Sequence, residues 1–306
     1  MKKLNFLVSL TTNDNDYQIE QAAAAEEAAR KLGAEVRIVY ADNDAITQSQ
    51  QLLKIIQSAG ARPDAIVFEP VGSTGLPQVA RAAAAAGIAW VILNREADYV
   101  SQLRRAHRVP VFSITSDHRE IGRIQGRQIA ALIPGGGSVL YIQGPAGSDA
   151  AQHRTEGMQE TKPANVQVRM LRAQWTEGSA HQAVDGWLRL STSRALQMDG
   201  IIAQDDSMAM GARKAFQEIA DPAQRDRWLG LPFTGCDGMP QTGQAWVRSG
   251  MLAATVVVPA NTGLALEMLA KAIASGIMPA EQTFTDVRSC PTFEELTSPT
   301  FRQRRG

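Results

Sequence analysis

Gly200 to Phe216 reads GIIAQDDSMAMGARKAF. Ile201, Ile202 and Ala203 make a short apolar run of the kind that forms a buried strand, and Met208, Ala212, Ala215 and Phe216 recur behind it at helical spacing. Asp205 and Asp206 stand between the two patterns, at the carboxyl end of a strand as it turns into a helix. In an open α/β sheet that is where ligands bind, because strand ends and helix N-termini converge there on a crevice. The expectation is that Asp206 or Ser207 caps the helix, its short side-chain oxygen taking an unpaired first-turn amide, which leaves Asp205 to point elsewhere. Two aspartates capping a surface helix is the plainer alternative for an isolated pair.

Working outward, the strand-then-helix unit repeats along the chain. Toward the N-terminus come strand Leu4 to Ser9, helix Tyr17 to Leu32 stopped by Gly33, strand Glu35 to Tyr40, helix Asp44 to Ala59 and strand Ala65 to Phe68. Helix 75–86, strand Ala89 to Leu93 and strand Val111 to Thr115 follow, with a polar stretch at 96–110, carrying Arg104, Arg105 and Arg108, read as a solvated loop. Helix 118–133, strand Ser138 to Gln143, helix 150–161, strand 166–172 and helix 179–194 lead to the opening stretch. Strand Phe233 to Cys236, helix 241–249, strand Ala254 to Val258, helix 261–275 and a strand near 283–289 complete the series. Strands alternating with helices of this length mean βαβ units, hence an α/β fold with parallel, doubly wound, Rossmann-like sheets. Two halves of similar strand count emerge, and with no Gly/Ser linker between them the chain is expected to cross from one to the other more than once.

The chain has 306 residues, 44% of them hydrophobic and 20% charged, with 31 basic and 31 acidic side chains. That composition is ordinary for a folded protein, and the zero formal charge points to neither a nucleic acid nor a membrane surface as partner. No apolar run is long enough for a transmembrane helix. MKKLNFLVSLTT at the N-terminus resembles the start of an export signal, but its apolar part is short and no small-residue cleavage site precedes NDND, so it reads as the first strand. Either the protein is cytoplasmic, or Met1 replaces a removed signal and the protein is periplasmic. Cys236 and Cys290 sit in apolar, strand-like contexts and are expected to be two buried free thiols.

The residues that follow each strand carry the functional reading. Asn15 and Tyr17 follow the first, Glu69 the third, and Asn94 and Arg95 the fourth; Gly144, Gly147 and then Arg154 follow strand 138–143. Trp175 follows strand 166–172, and Asp205 and Asp237 follow the next two. Alone, each has an ordinary explanation: Trp175 as core filler, Arg154 as a surface helix residue, Asp237 as a turn former. Together, at equivalent strand ends, they suit a neutral polyhydroxylated ligand. Carboxylates and amides accept from vicinal hydroxyls, arginines donate to hydroxyl and ring oxygens, and an aromatic face covers the C–H face of a sugar ring. Nucleotide, hydrolase and zinc-protease motifs are missing, and His107, His118, His153 and His181 lack metal-ligand spacing. No enzyme, cofactor or metal is therefore expected. The GPAGS loop at 144–148 is a weak candidate for a phosphate cradle.

From about Leu4 to Val287 the chain resembles the type I periplasmic sugar-binding proteins of the ribose-binding kind, whose fold is shared with LacI-type effector domains. LNR at 93–95, GPAGSDAAQHRTEGM at 144–158, AQDDSMAMGARKAF at 203–216, GCDG at 235–238 and GMLAATVVVP at 250–259 carry the resemblance. It implies two lobes joined by a three-crossing hinge near Ile114, Val258 and Thr283, one lobe of residues 1–113 plus 259–283 and the other of 114–258 plus 284–306. The ligand set it implies is Asn15, Tyr17, Glu69, Asn94, Arg95, Arg154, Trp175, Asp205 and Asp237. The implied function is capture of a neutral monosaccharide or polyol between closing lobes by a monomer that delivers it to an ABC transporter permease. The alternative is a sugar-sensing effector or receptor-docking domain of a regulator, LacI-like but without its DNA-binding region. Gln18 in place of an aromatic, Glu69 of an amide, Asn94 of an aspartate, Asp205 of an asparagine and Val258 of a glutamine depart from the ribose pattern, so ribose itself does not follow.

Overall fold

The computed structural model describes residues 3–58, 60, 62–72, 75–190, 196–299 and 301. In chain order the elements begin β1 (Asn5–Leu10), α1 (Asp16–Leu32), β2 (Glu35–Tyr40), α2 (Ala45–Ile56), β3 (Ala65–Phe68), α3 (Pro77–Ala85), β4 (Ala89–Leu93), α4 (Val100–Ala106) and β5 (Val111–Ser116). Next come α5 (His118–Leu132), β6 (Gly137–Gln143), α6 (Asp149–Thr161), β7 (Val166–Arg172), α7 (Glu177–Leu188), β8 (Gly200–Ala203), α8 (Asp206–Gln217), α9 (Pro222–Leu229) and β9 (Phe233–Thr234). The chain ends with α10 (Gly243–Arg248), β10 (Thr255–Val257), α11 (Asn261–Ser275), β11 (Gln282–Thr285), β12 (Arg288–Cys290) and α12 (Phe293–Thr297).

These elements divide into two units. Met1–Ser116 and Ala260–Thr285 form the first, and Asp117–Pro259 and Asp286–Gly306 the second, so the chain passes between them three times. The crossings fall one to three residues away from the boundaries expected at 113/114, 258/259 and 283/284. Pairing explains the shift at two of them: β5 stays in register with β11 as far as Ser116 opposite Thr285, whose hydroxyls lie 2.9 Å apart, so both strands remain whole in the first unit.

In the first unit the sheet order is β2-β1-β3-β4-β5-β11, all parallel. Alternation along β1 sends Phe6, Val8 and Leu10 to one face, against Ala25, Ala28 and Ala29 of α1 and Leu266 and Leu269 of α11, while Leu7 faces the cluster built by α2, α3 and α4. In the second unit β7-β6-β8-β9 are parallel; β10 joins through single bridges from Thr234 to Ala254 and from Asp237 to Val257, and β12 closes the edge antiparallel to β10. Here Leu140 and Ile142 pack toward α7 and α8, and Val139 and Tyr141 toward Met158 and Ile129. Both sheets are covered on two faces, and in both the strand order reverses beside the first strand of the unit, at β1/β3 and at β6/β8. That reversal opens a crevice at the carboxyl ends of the strands.

Several elements differ from expectation. The stretch 96–110 contains α4, pinned by Arg104, whose guanidinium donates to Val111 O at 3.0 Å and Pro279 O at 2.8 Å. The single strand expected near 283–289 is two strands in different sheets, broken at Asp286 and Val287 where the chain leaves the first unit. Helices α9 and α12 were not expected. The helix expected over 44–59 ends at Ile56, and that over 179–194 runs from Glu177 to Leu188; Ala59 and residues 191–194 lie outside the described residues. Both cysteines are free, but only Cys236 is buried; Cys290 is half-exposed at the sheet edge.

Candidate functional site

In the first unit, three strand ends deliver a polar cluster. Asn15 caps α1, its Oδ1 accepting from the amides of Tyr17 at 2.9 Å and Gln18 at 3.2 Å, and so fixes both following side chains above β1. Asn94 at the end of β4 holds a left-handed backbone, φ 55°, which asparagine tolerates better than most residues. Its Nδ2 donates to Tyr17 Oη at 3.1 Å and Glu69 Oε2 at 3.0 Å, while its Oδ1 accepts from Asn261 Nδ2 at 2.9 Å. Gln18 Nε2 donates to the same Glu69 oxygen at 2.9 Å, and Glu69's own backbone is held by Ser9 O and by Gln48. Arg95 turns along the backbone, donating to Asn94 O at 2.6 Å and Gly72 O at 3.3 Å. Tyr17, Glu69 and Asn94 thus form one hydrogen-bonded group, with Asn15 as its positioning cap and Arg95 adjoining it.

Gln18 and Asn261 also belong to this group. Gln18 stood out in the sequence only as the absence of an aromatic. Asn261 opens α11, far along the chain from Asn94, and only the folding of residues 260–285 back onto the first unit brings the two together.

In the second unit the aspartate pair behaves opposite to expectation. Asp205, not Asp206, is the helix cap: its Oδ1 accepts from Met208 N at 2.6 Å. Asp206 points inward, 1% exposed, and accepts from Gly238 N and Thr255 Oγ1, both at 2.7 Å. The reason is register: β8 ends at Ala203, so Gln204 and Asp205 form the turn and Asp206 is the first helical residue, facing the 235–238 loop. Glycines at 235 and 243 make room for it, since a Cβ at either would overlap its carboxylate. Asp206 therefore ties down the backbone that presents Asp237.

Asp237 lies at φ 105° with its amide on Val256 O and its carbonyl on Val258 N. Its Oδ1 is 3.9 Å from Arg154 Nη2, an ion pair with both side chains buried. Arg154 also donates to Gln204 O, and its guanidinium lies 5.5 Å from the Trp175 ring centroid. Burial works against the charge on Arg154, but the acidic groups around it, Cys236, Asp237 and Asp205, together hold its pKa above the ordinary guanidinium value. Trp175, half-buried at φ 62°, lays its indole against Gly144, where a Cβ would overlap the ring. Gly144 N donates to Gln204 Oε1 at 2.9 Å, and Ser148 caps α6, so this loop supports the tryptophan and its own helix. Arg154 itself is set by helix packing: Gly122 of α5 lies directly against the Arg154 carbonyl, and a Cβ there would overlap it. Arg154, Trp175 and Asp237 are brought together; Asp205 sits beside them as a cap.

Asn94, Trp175 and Asp237 are three of the six non-glycine residues with positive φ among those described. Such conformations persist where the surrounding structure over-determines them, and they gather at ligand sites. No group of three or more His, Cys, Asp or Glu side chains among the described residues is arranged to hold a metal.

Residues 6–277 match the periplasmic binding protein domain family. The chain belongs to that family. It is 27% identical over 252 residues to a xylitol-binding protein of Mycolicibacterium smegmatis, covering 80% of this chain and 64% of that protein. It is 26% identical over 259 residues to the ribose import binding protein of Salmonella typhimurium, covering 84% of this chain and 79% of that one. The chain thus spans just under two thirds of the length of the first of these relatives. Among solved structures, the periplasmic binding component of the arabinose ABC transporter from Shewanella sp. ANA-3, bound to α- and β-L-arabinofuranose, superposes with a TM-score of 0.77 at 22% identity, covering 98% of this chain and 95% of that one. The fold expected from the alternating strands and helices is the fold of this family. No described helix is long and apolar enough to cross a membrane.

Proposed function

We propose that this family member is a periplasmic solute-binding protein that captures a monosaccharide-sized sugar or polyol and delivers it to an ABC transporter permease. Binding, not catalysis, is its chemistry. The observation that carries the reading is the buried set of directional hydrogen-bonding groups at the strand ends of each unit. Tyr17, Glu69, Asn94 and Arg95 make up one set, and Arg154 paired with Asp237 over Trp175 makes up the other. Carboxylates, amides and guanidiniums suit vicinal hydroxyls, and an indole suits the C–H face of a ring. The relatives named above bind xylitol and ribose, in keeping with such a set.

Calorimetry across monosaccharides and polyols should find a ligand with one-to-one stoichiometry. Arg95→Ala and Asp237→Ala, one from each unit, should each weaken the same ligand by about 2–4 kcal/mol, roughly thirty to a thousandfold, because each leaves a polar partner unmatched. Binding confined to phosphorylated sugars or nucleotides would overturn the reading, and unchanged affinity in both variants would remove these residues from the site.

A further inference from the structure

Asn261 is 1% exposed and is the second residue after the chain returns to the first unit. Asparagine is a favoured helix cap, yet Ala260 holds the cap position of α11 and Asn261, one place on, makes no side-chain bond to its own helix. Its Nδ2 donates instead to Asn94 Oδ1 at 2.9 Å, while its Oδ1 is buried without a hydrogen-bond partner among the described residues. Turning this amide over would set oxygen against oxygen. Thr262 fixes the start of the helix, its amide donating to Gln21 Oε1 at 2.9 Å and its hydroxyl to Gln21 O. A side chain held for stability alone gains nothing from an unmatched buried acceptor. What Asn261 does is dictate the direction of Asn94. With Oδ1 on Asn261, Asn94 turns Nδ2 to Glu69 Oε2 at 3.0 Å and to Tyr17 Oη at 3.1 Å, and Gln18 Nε2 reaches the same Glu69 oxygen at 2.9 Å. Glu69 Oε1 accepts no hydrogen bond from the described residues. The relay Asn261–Asn94–Glu69 therefore has a fixed polarity: a carboxylate closes one end and can only accept, so the other end must donate.

We propose that Asn261 is a positioning residue of the ligand site, whose donor end locks Asn94 and through it the Glu69 carboxylate, leaving Oε1 as the acceptor for a ligand hydroxyl. The proposal rests on the sugar-or-polyol reading and adds to it a residue that acts through another side chain.

The test is urea unfolding and calorimetry on the full chain, with D-ribose, D-glucose, D-galactose, xylitol and myo-inositol as probes. Asn261→Leu exchanges one unmatched acceptor for another and lets Asn94 turn, so a bound probe should weaken about tenfold while the urea midpoint hardly moves. Asn261→Asp puts a carboxylate at both ends of the relay. Whichever way Asn94 then turns, one contact is acceptor against acceptor, and affinity and midpoint should both fall. Glu69→Gln restores a donor at the far end, so in that background Asn261→Asp should lower the midpoint much less, a coupling between two residues that meet through Asn94. Adding Asn94→Ala should abolish the coupling, whereas direct repulsion between two carboxylates would persist. Wild-type affinity in Asn261→Leu would overturn the positioning role while leaving the sugar reading intact. An equal loss from Asn261→Asp with and without Glu69→Gln, or a coupling that survives Asn94→Ala, would overturn the relay. If no probe binds the wild type, the sugar-or-polyol reading falls and the role of Asn261 toward a ligand falls with it.

Discussion

Replacing Asp206 tests how the second unit holds its binding edge. Its carboxylate is the shared acceptor for the Gly238 amide and the Thr255 hydroxyl, each at 2.7 Å, in a pocket that only glycines at 235 and 243 leave open. Asp206→Ala strands both donors away from water. At about 1–3 kcal/mol per buried unsatisfied group, the loss should be about 2–6 kcal/mol. Asp206→Asn should be milder, at about 1–2 kcal/mol, for a reason visible in the partners. The Gly238 amide can only donate, so the asparagine oxygen must face it; the asparagine NH2 then meets Thr255, whose hydroxyl can rotate its proton away and accept. Urea unfolding followed by tryptophan fluorescence is the assay, because Trp175, Trp187, Trp228 and Trp246, four of the five tryptophans, belong to the second unit. An Asp206→Ala variant within about 0.5 kcal/mol of wild type would refute the assignment of Asp206 as the anchor. An Asp206→Asn variant as unstable as the alanine would refute the hydroxyl reversal.

Other consequences can be checked on the same protein. Burial pushes the Cys236 thiol well above its ordinary range, whereas Cys290 is half-exposed, so native protein should release at most one equivalent to a thiol-titrating disulfide reagent and unfolded protein two. Because the Cys236 thiol ionises more readily in the unfolded chain, its contribution to stability is fully present at neutral pH and is lost as pH rises past the ordinary thiol value of 9.0; Cys236→Ala should flatten the alkaline limb of the stability profile. Gly122→Ala forces α5 away from the Arg154 carbonyl. It should cost about 1–3 kcal/mol in thermal unfolding and weaken ligand binding together with it. A stable variant with unchanged affinity would show that the helix contact does not set Arg154.

Much of the fold was legible because its central strands are buried on both faces and therefore read as apolar runs: Ala65–Phe68 and Ala89–Leu93 begin and end where the sequence places them. Helix α4 was hidden because VSQLRRA is short and its apolar face is only Val100 and Leu103; it is further secured by Arg104 reaching two backbone carbonyls and by Tyr99, which takes the Trp90 indole N–H at 3.1 Å. Helices α9 and α12 do carry local signals: Asp221 before Pro222, a cap followed by a proline in the first turn, and Thr292 with Glu295, a capping box. At the site, residue types at strand ends were readable, but their division of labour was not. Which aspartate caps α8 depends on where β8 stops, a shift of one residue that composition does not encode. Asn261 depended on tertiary return of the chain and had no local signature.

Asn94, Trp175 and Asp237 hold left-handed backbone without being glycine, and Asp237 lies farthest from the region where L-residues rest comfortably, at φ 105°. Glycine at such a position relieves steric strain of about 1–3 kcal/mol. A laboratory selection for heat resistance alone would therefore be drawn to these positions and would discard side chains of the proposed site. Robustness and recognition compete for the same residues, and variants of greater endurance should be sought elsewhere in the chain, with these three held fixed.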